Sequence, residues 1–118
     1  MERNRFRRLV QHALDSLPLE IDAYLDNVVI VIEREPSVDD LTEVGLPAGF
    51  SLFGLYVGTP LTDRSEYHMT LPDRIVIFQG PIERTFHPRA IPQEVQRTVL
   101  HELAHHFGID DARLEELG

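Results

Sequence analysis

The chain contains no cysteine and no lysine, because all 11 of its Lys+Arg residues are arginines. Without cysteine, the chain excludes disulfides, thiol nucleophiles, iron–sulfur clusters and cysteine-based zinc fingers, so a bound metal would need nitrogen and oxygen ligands. Without lysine, it excludes the phosphate-binding lysine of a Walker motif and a Schiff-base lysine. These absences favour water as the nucleophile of any reaction that the chain catalyses.

Long apolar runs and basic charge are also scarce. No stretch approaches the roughly 18 uninterrupted apolar residues of a membrane span, and Gln11, His12 and Asp15 interrupt the segment that would follow the arginine-rich start in a signal peptide. The formal net charge is −9. An acidic protein repels phosphate backbones, which argues against nucleic-acid binding. We therefore expect a cytoplasmic protein without a membrane segment or a nucleic-acid partner.

The length of 118 residues and the hydrophobic content of 42% fit one globular domain over residues 1–118. An apolar stripe predicts a first helix from Glu2 to Ser16, and a short second helix is predicted near residues 21–25. Pro92 fits the first turn of a long later helix, and residues 110–117 fit a short terminal helix.

Apolar runs predict strands at residues 28–32, 52–57 and 75–78, the first of them entirely β-branched and the last closed by Gly80 and Pro81. Gly54 inside the second run predicts a bulge or a close approach of another element. The polar stretch from Ser37 to Gly49 is predicted to be a loop. The order of elements predicts an α+β fold, in which a small sheet of three or four strands packs against the first helix and the long later helix.

The stretch from residue 101 to residue 111 carries the motif with chemical content, because it places His-Glu-x-x-His inside a helix. Residues four apart share one face of a helix, so the imidazoles of His101 and His105 can reach one tetrahedral ion. Glu102 lies about 100° further round the helix axis. There it flanks the ion without ligating it and can accept a proton from a water that the metal activates.

A third protein ligand is expected just beyond this helix. Gly108 has the character of a helix-ending residue that turns the chain back, and Asp111 is the preferred ligand after it. Zinc accepts carboxylate oxygen, and two histidines with one aspartate leave a fourth position open for water or substrate. Asp110 competes with Asp111 for this role, and Glu115 or Glu116 is a more distant candidate.

The pattern HExxHxxGxxD at residues 101–111 resembles the long zinc motif of metzincin-type metallopeptidases, in the variant with aspartate as third ligand. Other segments are similar to a family of short bacterial proteins described as minimal zincin-like metallopeptidases, and this likeness extends from about Leu14 to the C-terminus. The segments that carry it are residues 54–62, 71–75, 80–83 and 113–118. The resemblance implies a zincin-like domain that binds one zinc ion through His101, His105 and Asp111, with Glu102 as general base. It implies a metallopeptidase that cleaves a peptide or protein substrate.

The chain also departs from the larger metzincins. Those proteins have a methionine-containing turn and a cleft wall downstream of the motif, whereas Met69 lies upstream here and only seven residues follow Asp111. One alternative is therefore a zinc-binding or peptide-binding module that cleaves little or nothing. Another is a metal-dependent ribonuclease with a related motif, but that pattern has histidine at the position of Glu102 and needs a basic surface.

Three further residues on the long helix have a predicted position relative to the metal. His106 lies about 140° round the axis from His101 and should face away from the ion, packing in the core or hydrogen-bonding to a neighbour. Glu94 and Thr98 share the metal-facing side of the helix. They either line a cleft or are ordinary solvated positions.

Tyr56, Tyr67 and His68 are candidate donors to an oxyanion in the transition state, although a core or surface role is the stronger interpretation for each. A bound peptide would pair with an exposed strand edge, at residues 75–78 or 52–57.

Overall fold

The computed structural model describes residues 1–17, 28–45, 52–58 and 73–107. In chain order the elements are α1 (Arg3–Asp15), β1 (Val28–Glu33), α2 (Val38–Glu43), β2 (Gly54–Val57), β3 (Asp73–Phe78), α3 (Gln79–Thr85), a 3₁₀ turn (Pro88–Ala90) and α4 (Ile91–His106). The predicted α+β fold with a small sheet is confirmed. The helices predicted near residues 21–25 and 110–117 lie outside the described residues.

Strand β3 lies at the centre of a three-stranded sheet of order β1-β3-β2. It pairs in parallel with β1 and antiparallel with β2. Ile75 and Ile77 contribute to one core cluster, and Val76 and Phe78 contribute to another. A strand buried on both faces has no polar alternation, which explains its continuous apolar run. Because both of its edges are paired, the suggestion that residues 75–78 offer an open edge is wrong, whereas β2 is an edge among the described strands.

Helices α1 and α4 bury their apolar stripes in one core with the sheet. Phe6 and Val10 of α1 meet Val95, Val99 and Leu103 of α4 in this cluster, and each is at most 3% exposed. Burying a side chain of this size stabilises the fold by roughly 1.5–3 kcal/mol, before conformational entropy is counted. None of the helices in the described ranges is long and apolar enough to cross a membrane.

The prediction of a loop at residues 37–49 is wrong over α2. Ser37 begins this helix with a capping box, in which its hydroxyl accepts from the Asp40 N–H at 3.0 Å. The Asp40 carboxylate accepts in turn from the Ser37 N–H at 2.9 Å. These bonds satisfy backbone donors that the first turn leaves unpaired, so a short polar segment can be helical. The spacing of Ser37 and Asp40 is the feature of the sequence from which this helix could have been predicted.

Strand β3 ends at Phe78 as predicted, but Gly80 and Pro81 lie in helix α3 rather than in a turn. Proline fits there because the N–H groups of a first helical turn have no partner within the helix. The N–H of Gly80 donates to the carbonyl of Arg34 at 2.9 Å, which ties α3 to the end of β1.

A surface ion pair reinforces this connection. Arg84 of α3 donates to both carboxylate oxygens of Glu35, at 2.6 and 2.8 Å. The hydrogen bonds from Arg84 hold the pKa of Glu35 below its ordinary value. The stabilisation from this pair is therefore present above the ordinary pKa of glutamate and is lost as pH falls through the lowered pKa. Both side chains are exposed, so its contribution is small.

Gly54 lets helix α4 lie close to strand β2. A Cβ atom at this position would be 2.8 Å from Cγ2 of Thr98, 3.0 Å from Cγ of Glu102 and 3.3 Å from the carbonyl oxygen of Val76. Distances this short leave no room for a side chain without movement of the helix. The close approach predicted at Gly54 is confirmed, and its partner is the helix that carries the histidine motif.

We expect Gly54→Ala to lower the free energy of unfolding by about 1–3 kcal/mol, because the added methyl group overpacks this contact. Thr98→Ser removes the nearest methyl group and keeps the hydroxyl, which donates to the Glu94 carbonyl at 2.8 Å. The Gly54→Ala penalty should therefore be smaller in a Thr98→Ser background. Urea denaturation of the four metal-free proteins measures both penalties. Equal penalties would contradict a close contact between Gly54 and Thr98.

Candidate metal centre

Helix α4 places the candidate metal residues at the boundary between its buried and exposed sides. Its first turn contains Pro92, and it ends at His106. The buried stripe includes Glu102, whereas His101 is exposed and His105 is half-buried. A helix whose apolar stripe is docked on a sheet presents the residues flanking that stripe along the groove beside the sheet. The motif therefore lies where a ligand can approach it from solvent.

The side chains of His101, Glu102 and His105 converge. One potential ligand atom from each residue lies within 4.8 Å of the others. The two imidazole rings have centroids 4.8 Å apart and meet edge to face at 71°. Nδ1 of His105 lies 3.3 Å from Oε1 of Glu102. Imidazole nitrogen is a donor that zinc prefers, so His101 and His105 fit the metal predicted from the sequence, and the carboxylate of Glu102 lies beside them.

Glu102 is 6% exposed and forms part of a pocket of about 370 Å³. This pocket is lined by Leu52, Phe53, Gly54, Phe86, Glu94, Arg97, Thr98, His101 and Glu102. The rings of Phe53 and Phe86, with centroids 5.1 Å apart, supply an apolar wall. The pocket thus opens beside the histidine motif and combines aromatic surface with polar groups, as small-molecule and peptide sites do.

Glu94 and Thr98 both line this pocket, so the structure favours the cleft-lining interpretation for the two residues. The Glu94 carboxylate lies 3.5 Å from the guanidinium of Arg97, one turn along the same helix. Arg97 therefore offsets the charge of Glu94 beside the pocket.

Several predicted site residues lie outside the described residues. They include Asp111, the preferred third ligand, with its competitors Asp110, Glu115 and Glu116, and the helix-ending Gly108. Their roles stay predictions from the sequence. Tyr67 and His68, two of the candidate oxyanion donors, also lie outside the described residues.

His106 faces away from the pocket and into the protein, as its angle on the helix predicted. Its Nδ1 lies 3.0 Å from Oδ2 of Asp73, and the Tyr56 hydroxyl donates to the same oxygen at 2.6 Å. The core interpretation of Tyr56 is thereby favoured over a role as oxyanion donor.

Asp73 is the residue that sequence reasoning missed, because an acid at the start of an apolar strand looks like the end of a turn.

Comparison with known proteins adds two findings. A family model described as zincin-like metallopeptidase matches residues 25–118. Among solved structures, the chain is similar to a conserved hypothetical protein from Thermus thermophilus, with 24% identity, a TM-score of 0.59 and coverage of 98% of this chain and 96% of that one. This similarity shows a shared fold. None of the curated proteins matches the chain.

We expect His101→Asn and His105→Asn each to abolish the stabilisation that added zinc gives to the wild-type protein. A ligand at 100 times its Kd stabilises a folded protein by about 2.7 kcal/mol, which thermal unfolding with and without zinc detects. His12→Asn is the matched control, because His12 is an exposed histidine on α1. Zinc stabilisation that survives in both α4 variants would exclude the proposed pair of ligands.

Proposed function

Because the chain belongs to the zincin-like metallopeptidase family, we propose that it is a zinc-dependent hydrolase that cleaves peptide bonds. The observation that carries this proposal is the convergence of His101, Glu102 and His105 beside an accessible pocket. Two histidines with a nearby carboxylate that is largely withdrawn from solvent are the parts that metal-assisted hydrolysis requires.

The residues of the chain divide into metal ligands and a base. His101 and His105 would hold the zinc ion, and Asp111 is the proposed third ligand. When bound, zinc supplies Lewis acidity, which lowers the pKa of a water molecule and polarises the substrate carbonyl. Glu102 would remain outside the ligand set, since a base must be able to exchange protons during the reaction.

In this proposal, Glu102 would accept a proton from the attacking water and pass it to the leaving amine. Its side chain is confined between α4 and the backbone of β2, where a Cβ on Gly54 would come within 3.0 Å of it. Cγ of Glu102 therefore has little free space on the side of β2, and we infer that its carboxylate is held in place before the substrate arrives. Preorganisation of this kind raises the rate because less motion is needed at the moment of reaction.

An extended peptide is the substrate class that we propose for this site. Strand β2 is an edge among the described strands, and Gly54 at its start faces Glu102. A peptide that adds to this edge through backbone hydrogen bonds would bring its carbonyl groups past the base. The aromatic wall of Phe53 and Phe86 would then accept a side chain next to the scissile bond. We propose a cytoplasmic peptide or protein substrate rather than a nucleic acid, given the net charge of −9.

The deciding experiment is cleavage of a peptide library by the zinc-loaded protein, followed by mass spectrometry. We expect Glu102→Gln to bind zinc with the wild-type affinity while kcat falls by about 10²–10⁴-fold, the usual contribution of a general base. Glu43→Gln is the control, because Glu43 is an exposed acid on α2. Its kcat should equal that of the wild-type protein.

Three results would count against the proposal. Equal cleavage by the wild-type protein and Glu102→Gln would refute the role of the base. Zinc and peptide binding without turnover in the wild-type protein would instead favour a zinc-dependent peptide-binding module. Salt-sensitive RNA binding with RNA cleavage would favour the ribonuclease.

A further inference from the structure

A buried polar cluster connects three elements at the C-terminal end of α4. Among the described residues it consists of the half-buried Tyr56 from β2 and two buried residues, Asp73 from the start of β3 and His106 at the end of α4. Oδ2 of Asp73 lies 2.6 Å from the Tyr56 hydroxyl and 3.0 Å from Nδ1 of His106. The hydroxyl and Nδ1 are themselves 3.2 Å apart. Because a carboxylate only accepts hydrogen bonds, we assign the Nδ1 proton to His106 as a donor to Asp73.

The cluster is costly to bury. The side chains of His106 and Asp73 are 2% and 3% exposed. Withdrawing a carboxylate from water costs several kcal/mol, which its hydrogen bonds offset only in part, and apolar side chains of similar volume often give equal or greater stability. Stability alone therefore does not account for a polar cluster at this position.

The cluster instead fixes the helix relative to the strand. Gly54 contacts α4 at Thr98 and Glu102, and Tyr56, two residues further along the same face of β2, contacts it at His106. Two residues of a strand span about 6.6 Å and one turn of a helix spans about 5.4 Å. The strand and the helix therefore meet at two successive points, first at Gly54 and then at Tyr56. Apolar contacts tolerate sliding and rotation, whereas hydrogen bonds weaken steeply when distance and angle change.

The candidate metal ligands depend on this orientation. His105 is adjacent to His106, and Glu102 lies one turn before it on the buried side of the helix. Because α4 ends at His106, loss of these hydrogen bonds would let its last turn fray, which would move His105 relative to His101 and Glu102. Functional sites require placement within about 0.5 Å, so a small shift of His105 is enough to weaken zinc binding.

We propose that Asp73, acting through His106 and supported by Tyr56, is a positioning residue that sets the zinc affinity of the site. None of the three is a metal ligand in this proposal. It rests on the proposed zinc site, although it does not require that the protein cleave peptides. Because the readout is zinc affinity, it can be tested without a known substrate.

The first test uses two matched pairs of variants, with zinc affinity measured by competition with a chelator. His106→Asn places an amide N–H where Nδ1 lies, so the hydrogen bond to Asp73 is kept. Asp73→Asn can present its amide oxygen to both the Tyr56 hydroxyl and Nδ1 of His106. Neither variant should change zinc affinity by more than about 3-fold. In His106→Leu and Asp73→Leu the new side chain is similar in shape to the one it replaces, but the hydrogen bond between positions 73 and 106 is lost. We expect them to weaken zinc binding by about 10-fold or more, the usual effect of losing a group that orients a ligand.

The second test separates positioning from folding. The triple variant Tyr56→Phe, Asp73→Leu and His106→Leu replaces all three side chains with apolar ones, so that within the described part of the chain none of them leaves another member of the cluster unpaired. We expect its free energy of unfolding, measured by urea denaturation without metal, to equal or exceed that of the wild-type protein. Its zinc affinity should still fall by about 10-fold or more. A merely structural cluster would give a folded triple variant with unchanged zinc affinity.

The remaining outcomes are also informative. Equal losses in His106→Asn and His106→Leu would mean that the imidazole itself is required, which overturns the proposal in favour of ligation. Unchanged affinity in both leucine variants overturns it as well. A wild-type protein that binds zinc but cleaves no peptide would refute the hydrolase and leave the affinity comparison valid. A wild-type protein that binds no zinc would refute both proposals.

Discussion

The docking of helix α4 onto strand β2 is the contact on which the rest of the site depends. Gly54 allows the helix to approach because any side chain there would meet Thr98 and Glu102. This approach confines Glu102, leaves His101 and His105 at the solvent side and creates the pocket beside them. The apolar stripe of the helix supplies most of the stabilisation, while the missing side chain at Gly54 sets how near the helix can come.

The buried side of α4 is unusual in carrying polar residues at successive turns. Thr98, Glu102 and His106 are all buried there among aliphatic neighbours. Each loses hydration on burial, and a polar partner in the structure offsets part of this cost. Proteins break such local rules mainly at functional sites, where the cost in stability is offset by selection for activity. This stripe is therefore a second indication, independent of the histidine spacing, that α4 carries the function.

Much of the fold was predictable, and the errors have separate causes. Helices α1 and α4 and the three strands follow from the pattern of apolar residues, which is a local property of the chain. The helix α2 was missed because its short polar segment has no such periodicity and depends on a capping box between Ser37 and Asp40. The prediction that residues 75–78 form an edge strand was wrong because β3 pairs on both sides. Strand order depends on which strands pair, and the residues of a single strand do not specify its partners.

The sequence by itself determined which chemistry is available. It excludes cysteine and lysine chemistry, and the spacing of His101 and His105 brings two imidazoles to one helix face because the period of the helix is known. Only the tertiary structure decided which residues surround that face. Asp73 lies 33 positions from His106 and Tyr56 lies 50 positions from it, yet the three share hydrogen bonds. Contacts across such separations depend on how helix and strands dock, and no local pattern in the chain encodes them.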